Sequence, residues 1–430
     1  MKEQISIPTT KVKRAGKFFT TGAKVGGNYV KHYSKKLFNP QLDRSELDKE
    51  NAEDIYDSLS ELKGSALKVA QMLSMDKNVL PTAYQDKFAM SQYSAPPLSY
   101  PLVVKTFKNN LGKSPEEVFE TFTKSAVNAA SIGQVHQATK DGKKLAVKVQ
   151  YPGVADSISS DLKIVRPIAS RMLNIKAAEL EQYIGEVESK LIEETDYQLE
   201  LETSMRLTKA SDHLENIVFP TYYPEYSNDR ILTMDWIEGQ HLKDWLATDP
   251  GQEARNKLGQ AMWDFYNFQI HELKEVHADP HPGNFLVTND KKLAIIDFGC
   301  VKIIPEEFYE PYFRLLNKDI LDDNFDLESL FIELGFITKQ DTEKDKKFFI
   351  DLFKEMIELL GKPFRADTFD FGDDAYFKQI FEVGERVSKM QEVRKSASAR
   401  GNKHGLYVNR TYFGLYNLLN MLRAEIKISK

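Results

Sequence analysis

HADPHPGNF (277–285), followed by IIDFG (295–299), sets Asp279, Asn284 and Asp297 at the spacing that phosphoryl transfer needs. FLV (285–287) and LAII (293–296) read as two short strands joined by a polar turn at Asn289, Asp290, Lys291 and Lys292. With Thr288 opposite Leu293, antiparallel pairing sets Asn284 opposite Asp297. An amide oxygen and a carboxylate then face one pocket, the way a hard cation such as Mg2+ is held against substrate phosphates. Asp279, just upstream, is placed as a base. His277 and His281 would need helix geometry to share a zinc ion, and Pro280 with Pro282 disfavours a helix. Propping the loop by hydrogen bonds is their expected role.

The chain has 430 residues, too many for one simple core, and its 41% apolar and 11% aromatic content can fill two lobes and a helical appendage. Net charge is -6, yet residues 2–36 hold nine Lys or Arg against one acidic residue, Glu3. No run of about 18 apolar residues and no signal-peptide pattern occurs, so a cytoplasmic protein without a membrane span is expected. The single cysteine, Cys300, fits a reducing compartment and reads as a small buried apolar residue.

Residues 1–42 form a basic arm, mobile or an amphipathic surface helix, with peripheral membrane contact as one reading and plain solvation as the other. From Asp43, a plausible N-cap, Ala52, Ile55, Leu59, Leu62, Ala66, Val69 and Leu73 recur at three- and four-residue steps, which predicts one long amphipathic helix ending before Pro81. This extension runs through 43–125 and includes two shorter helices after Pro96, Pro97 and Pro101. Residues 126–238 predict a small, mostly antiparallel sheet: a hairpin turning at Asp141–Gly142, helices over 154–210, then strands at NIVFP (216–220) and RILTMDWIEG (230–239). Residues 239–430 read as helical apart from the hairpin after Asn284.

In LAVK (145–148), strand alternation puts Ala146 and Lys148 on one face and Leu145, Val147 and Val149 on the other. The small residue leaves room for adenine, and the lysine can reach phosphates. A lysine on an apolar strand needs a carboxylate partner, and EETDYQLELE (193–202) offers several. Taken alone, the segment also reads as an edge strand.

Together these segments resemble a protein-kinase-like fold: LAVK as the third-strand lysine, HADPHPGN as the catalytic loop and DFG at 297–299. The departures are specific. NAASIGQVH (128–136) stands where a glycine-rich loop is usual, Ala278 replaces the catalytic-loop arginine, and only CVKIIPEEF (300–308) links DFG to the next helix. With SALKVAQMLS (65–74), VKVQYPGV (147–154) and EETDYQLE (193–200), the chain is identified as a member of the UbiB-like atypical kinase family (AarF/ADCK). Ala70 stands where that family's helix has glycine.

The resemblance implies an α+β, bilobal fold, a sheet lobe plus a helical lobe, with the N-terminal helical extension packed over the nucleotide cleft. It implies ATP and Mg2+ as cofactors, Lys148 on the phosphates paired with Glu200, Ala130 and Ser131 in the alanine-rich loop, and Lys68 with Gln71 screening the pocket near Glu194 and Asp196. Adenine would lie against Ala146 and the backbone from Asp235 to Ile237, flanked by Met234. Asn284 and Asp297 would hold Mg2+, while Asp279 orients or deprotonates the acceptor. The expected activity is that of an atypical kinase or ATPase serving isoprenoid lipid or quinone metabolism near a membrane, not protein phosphorylation. A small-molecule phosphotransferase of the aminoglycoside or choline kinase sort and a non-catalytic nucleotide-sensing scaffold are the alternatives. No nucleic-acid partner is expected, and the sequence names no protein partner.

Overall fold

The computed structural model describes residues 11–38, 43, 45–62, 87, 98–129, 132–172, 177–322, 325–395 and 400–428. The chain forms two units: Met1–Glu202 with Thr221–Trp236, and Thr203–Pro220 with Ile237–Lys430. Residues 203–220, grouped by sequence with the sheet lobe, thus fall with the second unit.

The first unit is built on β1 (Thr121–Phe122), β2 (Asn128–Ala129), β3 (Gly133–Lys140), β4 (Lys143–Gln150) and β6 (Ile231–Asp235), β5 (Ile217–Val218) belonging to the second unit. The order is β1-β3-β4-β6, with β2 also on β3, and every pairing is antiparallel. Asp141 and Gly142 sit at φ 49° and 74° in the β3–β4 turn, the positive pair that a two-residue type I′ hairpin requires. Strand β4 is central, between β3 and β6, so the edge-strand reading of LAVK does not hold. Its apolar face, Leu145, Val147 and Val149, is buried in one cluster with Phe107 and Phe119. Each such side chain contributes roughly 1.5–3 kcal/mol of burial free energy.

The basic arm is helical over Lys11–Phe38, and the next helix is Ser45–Leu62. Ala52, Ile55 and Leu59 are buried, as their spacing predicts. Polar contacts join the two helices: Thr21 Oγ1 donates to Ser58 Oγ at 2.5 Å, and Asn28 Nδ2 to Asn51 Oδ1 at 3.1 Å and Asp54 Oδ2 at 2.9 Å. The rest of the predicted 43–76 helix lies outside the described residues. No described helix is long and apolar enough to cross a membrane.

In the second unit a four-stranded sheet runs β5-β10-β9-β7, with β7 at Gly239–His241, β9 at Phe285–Thr288 and β10 at Leu293–Ile295. NIVFP therefore belongs here: Ile217 and Val218 run parallel to Leu293 and Ala294. The region after Gly239 is less uniformly helical than expected. Besides β7, β8 (Glu275–His277) pairs with β11 (Val301–Ile303), and Thr368–Asp370 pairs with Glu425–Lys427. Trp263, Phe265, Phe285, Phe298, Phe331 and Phe371 anchor the core.

The hairpin register is one residue away from the expected one. Leu293 pairs with Val287 and Ile295 with Phe285, so Thr288 faces Lys292 and not Leu293. The cause is the turn. Lys291 takes φ 58°, and its N–H closes on Thr288 O at 2.9 Å, making a three-residue loop of the type I plus left-handed kind. Asn284 then bonds across to Ile296, whose N–H donates to Asn284 O at 3.1 Å. Asp297 is consequently the residue just past the paired end.

Candidate active site

In the first unit, the register that pairs Lys148 with Leu232 and Val135 also pairs Ala146 with Met234 and Gln137. These side chains share one face of the sheet, as alternation predicts. Lys148 and Glu200 are 7% and 6% exposed, and Nζ meets the carboxylate at 2.8 Å (Oε1) and 3.0 Å (Oε2). The ring of Tyr197, one turn before Glu200, lies 5.0 Å from the ammonium. Tyr197 was not anticipated as part of the site.

The segment ahead of Glu200 is held by a polar cluster. Gln150 Nε2 donates to Thr195 O at 2.9 Å, and Arg230 donates to the same oxygen at 3.1 Å and to Gln150 Oε1. Asp196 is exposed and caps the Tyr197–Ala210 helix, its Oδ1 accepting the Leu199 N–H at 3.0 Å. Glu194 is half-buried at the end of the preceding helix. Lys68, Gln71, Ala130 and Ser131 lie outside the described residues.

Met234 is buried at the end of β6. Asp235 donates its N–H to Thr221 O at 2.8 Å, and its carboxylate accepts from Thr221 N at 3.0 Å and from the Tyr223 hydroxyl at 2.7 Å. The side chain of Asp235 thus tethers the 221–223 segment. Ile237 is half-buried and begins the second stretch of the second unit, Ile237–Lys430.

In the second unit, the catalytic-loop sequence follows β8. His277 is wholly buried, its Nδ1 lies 3.1 Å from the Tyr266 hydroxyl, and its N–H donates to Gln269 Oε1 at 2.9 Å. Burial holds the Tyr266 phenol well above its usual titration range, reinforced by the Asp279 carboxylate, so Tyr266 stays protonated beside the imidazole. Gln269 lies in a π-helical turn, Phe268–Leu273, which re-aims the chain into β8. Ala278 donates to Cys300 O at 2.8 Å, tying the loop to the residue after DFG. His281 Nδ1 accepts the Gly283 N–H at 3.1 Å. Both histidines therefore serve the loop's shape through hydrogen bonds.

Asp279, Asn284 and Asp297 are half-buried. Asn284 Nδ2 donates to Asp279 O at 3.0 Å and lies 3.5 Å from Asp279 Oδ2, which leaves Oδ1 of the amide as the oxygen that could face a cation. Asp297 Oδ1 accepts the Gly299 N–H at 2.8 Å. Phe298 points into the core, its ring 6.0 Å from Phe219, 6.3 Å from Phe265 and 5.9 Å from His277. Packing Phe298 inward fixes the backbone that presents Asp297. Sequence reading missed Tyr266 and Gln269, whose polar atoms inside an apolar helical run were the available signal, and Arg410, which comes within 3.7 Å of Asp279.

A buried pair between a lysine on a small antiparallel sheet and a glutamate on the adjoining helix, and an Asp–Asn–Asp set around a hairpin in a mainly helical unit, define a protein-kinase-like protein with a bilobal α+β fold. The family model described as the ABC1 atypical kinase-like domain matches residues 90–329. Atypical kinase COQ8, mitochondrial, of Saccharomyces cerevisiae is 30% identical over 385 residues, spanning 87% of this chain and 76% of that protein. A probable serine/threonine-protein kinase abkA of Dictyostelium discoideum is 27% identical over 404 residues, 88% of this chain and 71% of that protein. Among solved structures, a complex of Rv3197 with erythromycin from Mycobacterium tuberculosis matches with a TM-score of 0.59 at 25% identity, covering 89% of this chain and 95% of that one. The chain belongs to the UbiB-like (AarF/ADCK) family of atypical kinases.

Proposed function

We propose that this atypical kinase binds Mg-ATP and transfers the terminal phosphoryl group to water or to a small acceptor in isoprenoid lipid or quinone metabolism, working at a membrane surface. The observation that carries the reading is the buried Lys148–Glu200 pair. A buried ion pair costs desolvation that its own attraction barely offsets, so stability alone does not account for it. A lysine held this way has its charge aimed and ready for phosphate oxygens. Ala146 and Met234 share its face of the sheet and supply an apolar bed for adenine.

The donor set suits magnesium. One amide oxygen at Asn284 and one carboxylate at Asp297 are hard oxygen ligands, too few for a cage and sufficient when substrate phosphates complete the shell. Among the described residues no group of three or more His, Cys, Asp or Glu could hold a metal alone. Bound there, the ion would neutralise charge on the β- and γ-phosphates. Asp279 accepts the proton of the attacking hydroxyl or orients it, and Asn284 steadies the Asp279 backbone through its 3.0 Å bond. Lys68, Gln71, Ala130 and Ser131 are assigned here to the nucleotide pocket on family resemblance alone.

Membrane contact is assigned to the Lys11–Phe38 helix. Phe19, Val30 and Tyr33 are 79%, 69% and 51% exposed, and Lys24, Lys31 and Lys35 lie on the same helix. A basic helix with exposed aromatics is built for an anionic interface.

The test is ATP turnover by purified protein with and without anionic liposomes, with Asp297→Asn as control. Turnover that liposomes stimulate and Asp297→Asn abolishes supports the proposal. Tight nucleotide binding without turnover points to a sensing scaffold, and no nucleotide uptake with magnesium present overturns both readings.

A further inference from the structure

Ordinary protein kinases carry an arginine next to the catalytic aspartate; here that position is Ala278, wholly buried. A guanidinium still reaches the aspartate, from the last long helix, Lys403–Leu422. Arg410 Nη2 lies 3.7 Å from Asp279 Oδ1, with the two side chains 31% and 24% exposed. The other carboxylate oxygen, Oδ2, looks toward the Asn284 amide at 3.5 Å. The two oxygens are thus addressed by different elements of the same unit.

The helix is seated against the loop at two further points. A methyl on Gly414 would fall 2.2 Å from Pro280 Cγ and 3.0 Å from Pro280 Cβ, a clash with a rigid ring. The Lys302 ammonium on β11 lies 5.3 Å from the Tyr407 ring. Tyr407, Arg410 and Gly414 are spaced three and four apart and share one helix face. That face covers β11 and the Asp279–Pro280 step together.

We propose that Arg410 is a positioning residue for Asp279, and that the Lys403–Leu422 helix supplies from the far end of the chain the charge that Ala278 lacks. The proposal rests on the reading of Asp279 as the base. At 3.7 Å the guanidinium acts as an orienting charge, selecting one carboxylate rotamer. In activated protein kinases arginines order the activation loop by pairing with its phosphorylated residues. Here the arginine is engaged by the aspartate itself, so alignment needs no phosphorylated segment.

The experiment uses the full chain, measuring kcat and KM for Mg-ATP turnover, Mg-ATP affinity by calorimetry, and Tm. Arg410→Ala should lower kcat about tenfold or more, the scale that small misplacements of a catalytic group produce, with KM and affinity within about twofold. Millimolar guanidinium chloride should restore part of the loss. Arg410→Lys should fall between, keeping the charge without the planar fork. Gly414→Ala should lower kcat as well, without guanidinium rescue. Wild-type kcat in Arg410→Ala overturns the proposal, as does a parallel loss of kcat, affinity and Tm that guanidinium does not repair. If Arg410→Ala does not fold, the neutral Arg410→Gln decides: wild-type kcat overturns the proposal and a lowered kcat at unchanged affinity supports it. Asp279→Asn separates the two levels. Full turnover in that variant sinks the assignment of Asp279, whereas abolished turnover beside an unaffected Arg410→Ala sinks this inference only.

Discussion

Gly133 and Tyr197 approach so closely that a methyl on the glycine would lie 2.8 Å from the tyrosine hydroxyl, and 2.5 Å from the Val149 carbonyl oxygen. Tyr197 in turn holds its ring 5.0 Å from the Lys148 ammonium. The glycine in SIGQVH, the first residue of β3, therefore sets how closely Tyr197 approaches the sheet beside the lysine. Gly133→Ala is expected to destabilise the fold by about 1–3 kcal/mol through overpacking. It should also weaken nucleotide affinity, because the shift passes through Tyr197. Denaturant titration and calorimetry check both; unchanged affinity in a destabilised protein would separate the glycine from the site.

Glu200→Gln leaves the Lys148 ammonium without its carboxylate in a buried setting and should cost on the order of 3–5 kcal/mol. The double variant Lys148→Met/Glu200→Leu removes both charges at similar volume, and stability should return close to wild type while nucleotide binding stays lost. Recovery of stability without recovery of binding identifies the pair as functional. Retained binding in the double variant would refute that.

Tyr266→Phe deletes the hydroxyl that faces His277 Nδ1 at 3.1 Å in a wholly buried position. The expected cost is about 1–3 kcal/mol for a buried polar group deprived of a partner. Because His277 anchors the strand entering the Asp279 loop, kcat should fall more than nucleotide affinity. Equal losses in both would place the tyrosine in the general core instead.

Buried His136 and half-buried His271 make the fold acid-sensitive. Burial pushes His136 down to about 4 against the backbone bond it makes to Thr123, and pushes His271 down to about 4, helped by the Lys274 charge. Unfolding lets each take up a proton at its ordinary value near 6.5, so the unfolded chain binds more protons between about pH 4 and 6.5. Stability is therefore full above about pH 6.5 and declines as pH falls toward 4, by at most about 3 kcal/mol for each histidine. Urea titrations from pH 7.5 to 4.5 should show this slope, and His136→Gln with His271→Gln should flatten it. A flat profile in the wild type would show that neither histidine is held neutral.

Much of this protein is written locally. Asp279, Asn284 and Asp297 could be picked out because their spacing and the flanking apolar triplets lie within about twenty residues of one another. The Asp141–Gly142 turn was equally plain, since few residues tolerate the positive φ values a type I′ hairpin demands. The hairpin at Thr288 was misjudged by one residue because its positive-φ position is Lys291, which carries no compositional mark. The partner of Lys148 came through family likeness, the sequence itself offering several carboxylates.

What tertiary structure alone decided are the matches between distant segments. Ile217–Val218 is too short to declare its sheet, and its parallel pairing with Leu293–Ala294 follows from where the second unit packs. Likewise nothing near Arg410 marks it as a neighbour of Asp279; that contact exists because Gly414 lets a helix close on Pro280. Steric and periodic preferences act over a few residues and can be read in order along the chain. Which surfaces finally meet depends on shape and burial summed over the whole unit, and that sum has no local signature.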